Sequence, residues 1–264
     1  MNNDTELTHI DLFSGIGGMS IASGWAGFRT VAFCEKDEWC QSILRQYWPD
    51  TPIHGDIRTF PGHIYQGATL VTGGFPCQPF AQCGKLRGKE DDRYLWPSML
   101  DAIIAVMPNW VVLENVPNII KMALPSIVAD LEVARFRCAV FLLPAHGIGA
   151  PHRRRRAYVV AESLDPHPNC VRPHREKVHP HGQEQEAELR HEQGGIPRSM
   201  VPEQIWKTID PRVFGMADGI LNRLDKEERR KRIQAVGNAV VPQLIYELLA
   251  PIAKIELDIC DCKN

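Results

Sequence analysis

Cys77 is the side chain in this sequence best suited to nucleophilic chemistry. It lies in Gly73-Gly-Phe-Pro-Cys-Gln-Pro-Phe-Ala81, directly after the apolar run Thr69-Leu-Val-Thr72. The run predicts a buried strand, and the Gly73-Gly74 pair lets the backbone turn sharply at its carboxyl end. Pro76 and Pro79 stop immediate continuation as helix or central strand, so the thiol sits on a loop at the edge where open α/β sheets bind ligands. An unperturbed thiol titrates near ~8.5 and is mostly protonated at neutral pH, so Cys77 needs activation by its surroundings or proton transfer during attack. A buried structural cysteine is the other reading that this stretch alone leaves open.

Carboxylates recur where strands are expected to end. Glu35 follows the strand candidate Arg29–Cys34 and stands 24 residues after Asp11, a place from which an acid accepts hydrogen bonds from ribose hydroxyls. Its plainer role is that of a helix-start acid, because 36–47 shows helical spacing in Trp39, Ile43 and Tyr47. Asp56 ends a third short strand, Ile53-His-Gly-Asp-Ile57, and two acids at neighbouring tips suit ribose and adenine. Glu114-Asn115 follows the apolar strand Trp110-Val-Val-Leu113; the carboxylate either faces the cysteine or belongs to ordinary turn chemistry. The arginines at 153–156 open a strand that runs to Val160. Alternate side chains of a strand share a face, so Arg154 and Arg156 project together and Arg153 and Arg155 point the other way. Arginines opening an apolar strand require anionic company more than water explains.

The elements that must hold these groups are legible around them. A β-prone run, His9-Ile-Asp-Leu-Phe13, leads through Ser14-Gly-Ile-Gly-Gly18 into a helix over Met19 to Ala26. Strand, glycine turn and helix in that order form a cradle in which glycines allow close backbone approach and a helix N-terminus offers free N–H groups, although the spacing is not GxGxxG. Residues 82–93 are polar and charge-rich, the composition of a loop able to act as a lid. A helix follows over Tyr94 to Val106, with Leu95, Met99, Ala102, Ile103 and Val106 on one face. Ser126 to Ala134 reads as a helix capped by Ser126, and Arg137 to Leu143 as a strand. Lys226 to Ala235 forms a basic helix, and Gly237-Asn-Ala-Val-Val-Pro242 leads into a last helix over Gln243 to Leu249.

The 264 residues, 44% hydrophobic and 23% charged, suit a globular protein with a sizeable core. A net charge of −2 does not mark a nucleic-acid binder, so affinity for phosphate must come from local clusters. Eight cysteines without a CxxC pair, and no basic N-terminal stretch before an apolar run, predict a reduced, cytoplasmic protein. No apolar run is long enough to span a membrane. Cys260 with Cys262, and His179 with His181, have spacings that could hold a metal but lack partners, and no metal site is expected. Composition changes after Glu162: seven of the ten histidines lie between 146 and 191, prolines recur, and residues 165–200 carry too little apolar surface to fold alone. Trp206 is the one large apolar anchor near the end of this stretch.

Several of these segments together resemble the cytosine-5 DNA methyltransferases. Asp11-Leu-Phe-Ser-Gly-Ile-Gly-Gly18 is similar to their cofactor loop, Glu35 and Asp56 to their ribose and adenine contacts, and Gly74-Phe-Pro-Cys-Gln78 to their nucleophile loop. Glu114-Asn-Val116 resembles their catalytic acid segment, and Gly237-Asn-Ala-Val240 their last motif. His152-Arg-Arg-Arg-Arg156 departs from the family's Gln-x-Arg-x-Arg at His152 while Arg154 and Arg156 fit. Ala81 also stands where a serine is common. The matches run in family order over 9–161 and about 213–250.

The resemblance implies a Rossmann-like α/β fold, a doubly wound, mostly parallel sheet of the class I methyltransferase kind, with a small target-recognition insert. The domain would comprise 1–161 and 213–254, with the insert at 162–212. It implies Cys77, Glu114, Arg154 and Arg156 as catalytic residues. It implies S-adenosylmethionine as cofactor, contacted by Phe13, Ser14, Gly15, Gly17, Glu35, Asp56, Ile57, Pro76, Asn238 and Ala239. The implied partner is double-stranded DNA, with a cognate restriction endonuclease as a further candidate and a monomer as the expected state. An RNA cytosine methyltransferase and a non-catalytic nucleic-acid-binding homologue are the alternatives.

Overall fold

The computed structural model describes residues 6–76, 94–148, 154–165, 231 and 239–261. The chain divides into two units, Met1–Arg172 with Asn238–Asn264, and Pro173–Gly237. The second lies outside the described residues except for Lys231, so the architecture below is that of the first.

Runs of apolar residues become strands where both faces are to be covered, and here they form one seven-stranded sheet. In chain order the strands are β1 (Thr8–Leu12), β2 (Arg29–Cys34), β3 (Ile53–His54), β4 (Leu70–Gly73), β5 (Trp110–Asn115), β6 (Phe136–Pro144) and β7 (Arg155–Ser163). The sheet order is β3-β2-β1-β4-β5-β7-β6. The pairs among β1 to β5 are parallel, and β7 runs antiparallel to both β5 and β6. The helices are α1 (Gly18–Trp25), α2 (Glu38–Tyr47), α3 (Trp96–Val106), α4 (Ile119–Met122), α5 (Leu124–Val133) and α6 (Pro242–Asp261).

The two-residue period of a strand sorts its side chains into two cores. Ile10, Leu12, Val71, Val111, Leu113, Val159 and Ala161 meet Trp96, Met99 and Ile103 of α3 and Ile127 and Leu131 of α5. On the opposite face Leu70, Trp110, Val112 and Tyr158 meet Met19 and Ala22 of α1 and Leu244, Ile245, Leu249 and Ile252 of α6. Each fully buried aliphatic side chain of this kind stabilises the fold by about 1.5–3 kcal/mol relative to exposure. The alternation also sends Glu114 to the α1 and α6 face and Asn115 to the other.

Four elements depart from sequence expectation. The third strand is confined to Ile53–His54, because Asp56 accepts a hydrogen bond from the Arg58 backbone N–H and starts a 3-10 turn over Ile57–Thr59. Glu114 and Asn115 are the last two residues of β5 and not a turn after it. Ser126 does not cap α5: the helix begins at Leu124 with a proline in its first turn, and the Ser126 hydroxyl donates back to Ala123 O at 2.9 Å. The last helix runs through Pro251 to Asp261 instead of ending at Leu249. Its buried residues Ile252, Ala253 and Glu256 continue the stripe begun by Ile245 and Leu249, and that packing outweighs the proline's disruption.

Candidate active site

The turn after β1 is made of unusual backbone. Phe13, Gly15 and Gly17 adopt φ of 56°, 54° and 84°, so three of the five residues from 13 to 17 are left-handed. Phe13 does so without being glycine, at a cost of ~1–3 kcal/mol that the surroundings must offset. Ser14 fixes the turn from within: its hydroxyl donates to Asp11 O at 2.6 Å, and its N–H to Cys34 O at 3.2 Å. Gly17 is N-cap of α1, and a Cβ there would come within 2.7 Å of the Trp48 ring. A Cβ at Gly15 would meet nothing within 4 Å, so the turn keeps open space beside it.

Glu35 closes this turn from the next strand tip. One carboxylate oxygen accepts from Gly15 N–H at 2.7 Å and the other from Asp37 N–H at 2.7 Å. Each oxygen retains a further lone pair, so the carboxylate can still accept hydroxyl hydrogen bonds. Asp56, half-buried one tip further along, accepts from Arg58 N–H and stands 3.6 Å from the Arg58 guanidinium. Ile57 is buried in the core, and Pro76 is half-buried. An open glycine turn, a free helix N-terminus and two acids at adjacent tips suit a nucleoside cofactor with a charged tail.

The second cluster forms where β5 and β7 meet. Glu114 is 8% exposed, and Arg156 Nε stands 2.8 Å from its Oε1. The register puts Glu114 opposite Tyr158, so Arg154 and Arg156 lie on the Glu114 face, as their spacing requires. Burial pushes the Glu114 carboxyl above its ordinary value, while the charges of Arg156 and Arg154 act in the opposite sense. Burial lowers Arg154, and the positive charge of Arg156 adds to that effect. A carboxyl poised between a desolvated site and two guanidiniums can hold or release a proton at a bound base.

The strand pair is joined to the loop that precedes Cys77. Gly74 lies so close to Glu114 that a Cβ would stand 3.2 Å from the carboxylate Oε2. On the other face Asn115 Nδ2 donates to Phe75 O at 3.1 Å, and Asn115 Oδ1 accepts from Val116 N–H at 2.8 Å. The Phe75 ring packs on Trp96 with centroids 5.5 Å apart. Cys77, His152, Arg153 and Asn238 lie outside the described residues, as do the stretches 82–93 and 165–200 apart from Asp165, and Trp206. Ala239 is half-buried at the start of the segment into α6, and the next residue, Val240, lies against Gly18: a Cβ there would be 2.8 Å from Val240 Cγ2. The structure therefore brings Ser14, Gly15 and Glu35 together, and separately Glu114, Arg154 and Arg156.

Sequence reasoning passed over a buried polar chain behind the turn. His9 Nε2 and Thr72 Oγ1 are 2.8 Å apart, and Thr72 Oγ1 in turn donates to Asp11 Oδ1 at 3.3 Å. Ser20 donates to Asp11 Oδ2 at 2.7 Å. Burial drives the Asp11 carboxyl up to about 7, against the opposing hydrogen bonds of Ser20 and Thr72, and drives His9 down to about 3. The available signal was a His and an Asp in alternate positions of a strand whose other face carries Ile10 and Leu12.

A sheet in this order, with the reversed strand β7 set between β5 and β6, defines the class I methyltransferase fold. The model of C-5 cytosine-specific DNA methylases matches residues 7–211, and the chain belongs to that family. It is 36% identical over 44% of its length to 37% of the type II methyltransferase M.NgoMIV of Neisseria gonorrhoeae. It is 33% identical over 59% of its length to 71% of the type II methyltransferase M.AquIA of a Picosynechococcus species. The Entamoeba histolytica methyltransferase EhMeth shares the fold with a TM-score of 0.52 at 21% identity, over 66% of this chain and 58% of that one. The chain spans only about a third to a half of the length of several curated relatives. Among the described residues no helix is long and apolar enough to cross a membrane, and no group of three metal-ligating side chains occurs.

Proposed function

We propose that the chain is a DNA cytosine-5 methyltransferase that uses Cys77 as nucleophile, Glu114 as acid, and Arg154 and Arg156 to hold the base and its acid. The observation that carries this reading is the buried Glu114–Arg156 ion pair, 2.8 Å long, beside the Gly74-Phe75 loop that leads into Cys77. Carbon 5 of cytosine is a poor nucleophile. Attack of the Cys77 thiolate on carbon 6 forms an S–C bond and moves electron density to carbon 5 and ring nitrogen 3. Glu114, its carboxyl raised by burial, supplies a proton at nitrogen 3 and neutralises the charge that builds up there. Ser14, Gly15, Glu35, Asp56 and the segment at Asn238-Ala239 would hold S-adenosylmethionine, which when bound would supply a sulfonium methyl group to carbon 5 and leave as the neutral thioether. Loss of the carbon 5 proton to a base and return of the nitrogen 3 proton to Glu114 then restore the double bond and expel the Cys77 thiolate. The base must leave the duplex for a side chain to reach carbon 6, and residues 82–93 are the candidate lid. The insert at 162–212 is the candidate reader of the target, and a cognate endonuclease the candidate partner of a cytoplasmic monomer.

The test uses a duplex bearing 5-fluorocytosine at methylated positions. Fluorine cannot leave as a proton does, so wild-type protein and cofactor should give an adduct that survives denaturing electrophoresis, and Cys77→Ser none. An active enzyme that gives no adduct on DNA would refute thiol addition. Adducts formed on RNA alone would transfer the reading to an RNA cytosine methyltransferase.

A further inference from the structure

We propose that Glu256 is a positioning residue for the cofactor site: by holding the far end of α6 on Asn109 and Trp110, it sets the height at which Ala239 and Val240 meet the glycine turn. The inference rests on the reading of that turn and of Ala239 and Val240 as the cofactor cradle.

Glu256 is 2% exposed and occupies a position of the buried stripe where an aliphatic side chain would continue the pattern of Ile245, Leu249 and Ile252. A carboxylate in that place loses its hydration and is tolerated only where donors replace water. Two consecutive residues supply them. Asn109 Nδ2 donates to Oε2 at 2.9 Å, and Trp110 Nε1 donates to Oε1 at 2.7 Å. Asn109 and Trp110 are themselves buried at the amino end of β5, where Asn109 O accepts from Ser163 N–H at 2.8 Å. The carboxylate is thus tied to the edge of the sheet opposite the active site.

Apolar packing alone fixes the axial position of a helix poorly, because one aliphatic row replaces another with little change in buried area. A polar group with directional partners does not tolerate such a slide. Moving α6 by a single turn, ~5.4 Å, would break both Glu256 contacts. The same slide would lift Val240 from Gly18, whose missing Cβ makes room for it. The dimensions agree. Glu256 lies fourteen residues beyond Pro242, so the helix descends ~21 Å between them, and the six residues of β5 span ~20 Å. Helix α6 therefore crosses the full depth of the sheet, with one end at the glycine turn and the other at the Glu256 contact.

Three variants separate positioning from bulk stability. Glu256→Ala removes both contacts. Trp110→Phe removes one donor and keeps an aromatic ring. Glu256→Gln can still accept from Trp110 and, with the Asn109 amide reversed, donate to its oxygen. By isothermal calorimetry with S-adenosylmethionine, Glu256→Ala should lose affinity by about 5- to 20-fold and Trp110→Phe by less, with Glu256→Gln near wild type. Turnover of Glu256→Ala at saturating cofactor should stay within about twofold of wild type. Hydrogen exchange without cofactor should speed up over 239–246 in Glu256→Ala and not over β1 and β2. A lower unfolding midpoint with unchanged cofactor affinity in both Glu256→Ala and Trp110→Phe overturns the proposal. Should wild-type protein bind no S-adenosylmethionine, the cofactor reading fails instead, and the exchange data alone then decide whether Glu256 holds the start of α6.

Discussion

Asn115 and Phe75, forty residues apart, are joined by a buried hydrogen bond of 3.1 Å from Asn115 Nδ2 to the Phe75 carbonyl. Glu114 and Asn115 leave β5 on opposite faces, so one strand end addresses both the arginines of β7 and the loop before Cys77. Asn115→Asp keeps the acceptor for Val116 N–H but sets a carboxylate against the Phe75 carbonyl. It should slow formation of the 5-fluorocytosine adduct about tenfold or more while leaving cofactor affinity unchanged. Equal adduct rates in the two proteins would show that the bond does not hold the loop for reaction.

Arg156 stabilises the ionised form of Glu114, against the burial that raises it. In Arg156→Gln that opposition is reduced, so the carboxyl should titrate at higher pH than in wild type. Carbon-13 NMR of labelled glutamate carboxyls reads the shift directly, and a move to lower pH would contradict the pairing. Methyl transfer should fall by roughly 100-fold or more, since both the placement of the proposed acid and the proposed contact to the base are lost.

Gly15 and Gly17 are both left-handed but differ in their surroundings. Gly15→Ala should cost only the backbone term of ~1 kcal/mol in urea unfolding while weakening cofactor binding, because the methyl fills open space in the cradle. Gly17→Ala adds contact with the Trp48 ring to the same backbone term and should destabilise by about 2–3 kcal/mol. Equal losses of stability in the two variants would exclude a steric contribution from Trp48.

Asp11 and His9 give stability opposite dependences on pH. The folded Asp11 carboxyl titrates near 7 against 3.8 in a model peptide, so between these values the fold holds a proton that the unfolded chain lacks, and stability falls as pH rises through 7. His9 titrates near 3 in the fold against 6.5, so its contribution is complete above 6.5 and is lost as pH falls from there. Asp11→Asn removes the first effect only. The stability of wild type minus that of Asp11→Asn should therefore fall from pH 5 to pH 8 in urea titrations; a difference that rises over that range would refute the raised carboxyl.

What the sequence revealed and what it hid have physical reasons. Strand β2 was bounded correctly from Arg29 to Cys34, and β4 and β5 to within two residues, because strands covered on both faces must be continuously apolar and end at glycine or polar residues. That Arg154 and Arg156 share a face followed from strand alternation; that this face is the one carrying Glu114 is set by the β5–β7 register. Asn115, His9 and Glu256 stayed hidden because their partners are far along the chain: His9 bonds to Thr72, 63 residues away, and Glu256 to Asn109, 147 residues away. No local pattern announces such a partner. The sequence expectation ends α6 at Leu249, and only packing on the sheet beneath it explains why the helix continues through Pro251 to Asp261.

The reversal of β7 has a topological result. Its arginines come first, at the edge that carries Glu114, and the strand then carries the chain down to Ser163, whose N–H donates to Asn109 O at the opposite edge. Ala239 and Val240 stand at the other edge, where Val240 lies against Gly18 at the glycine turn. The two ends thus stand apart by the depth of the sheet, roughly 30 Å for a nine-residue strand. Because loop closure becomes only slightly more costly as a loop grows, a change in the length of chain between these two ends should cost little stability to the sheet that holds Glu114, Arg156 and Glu35.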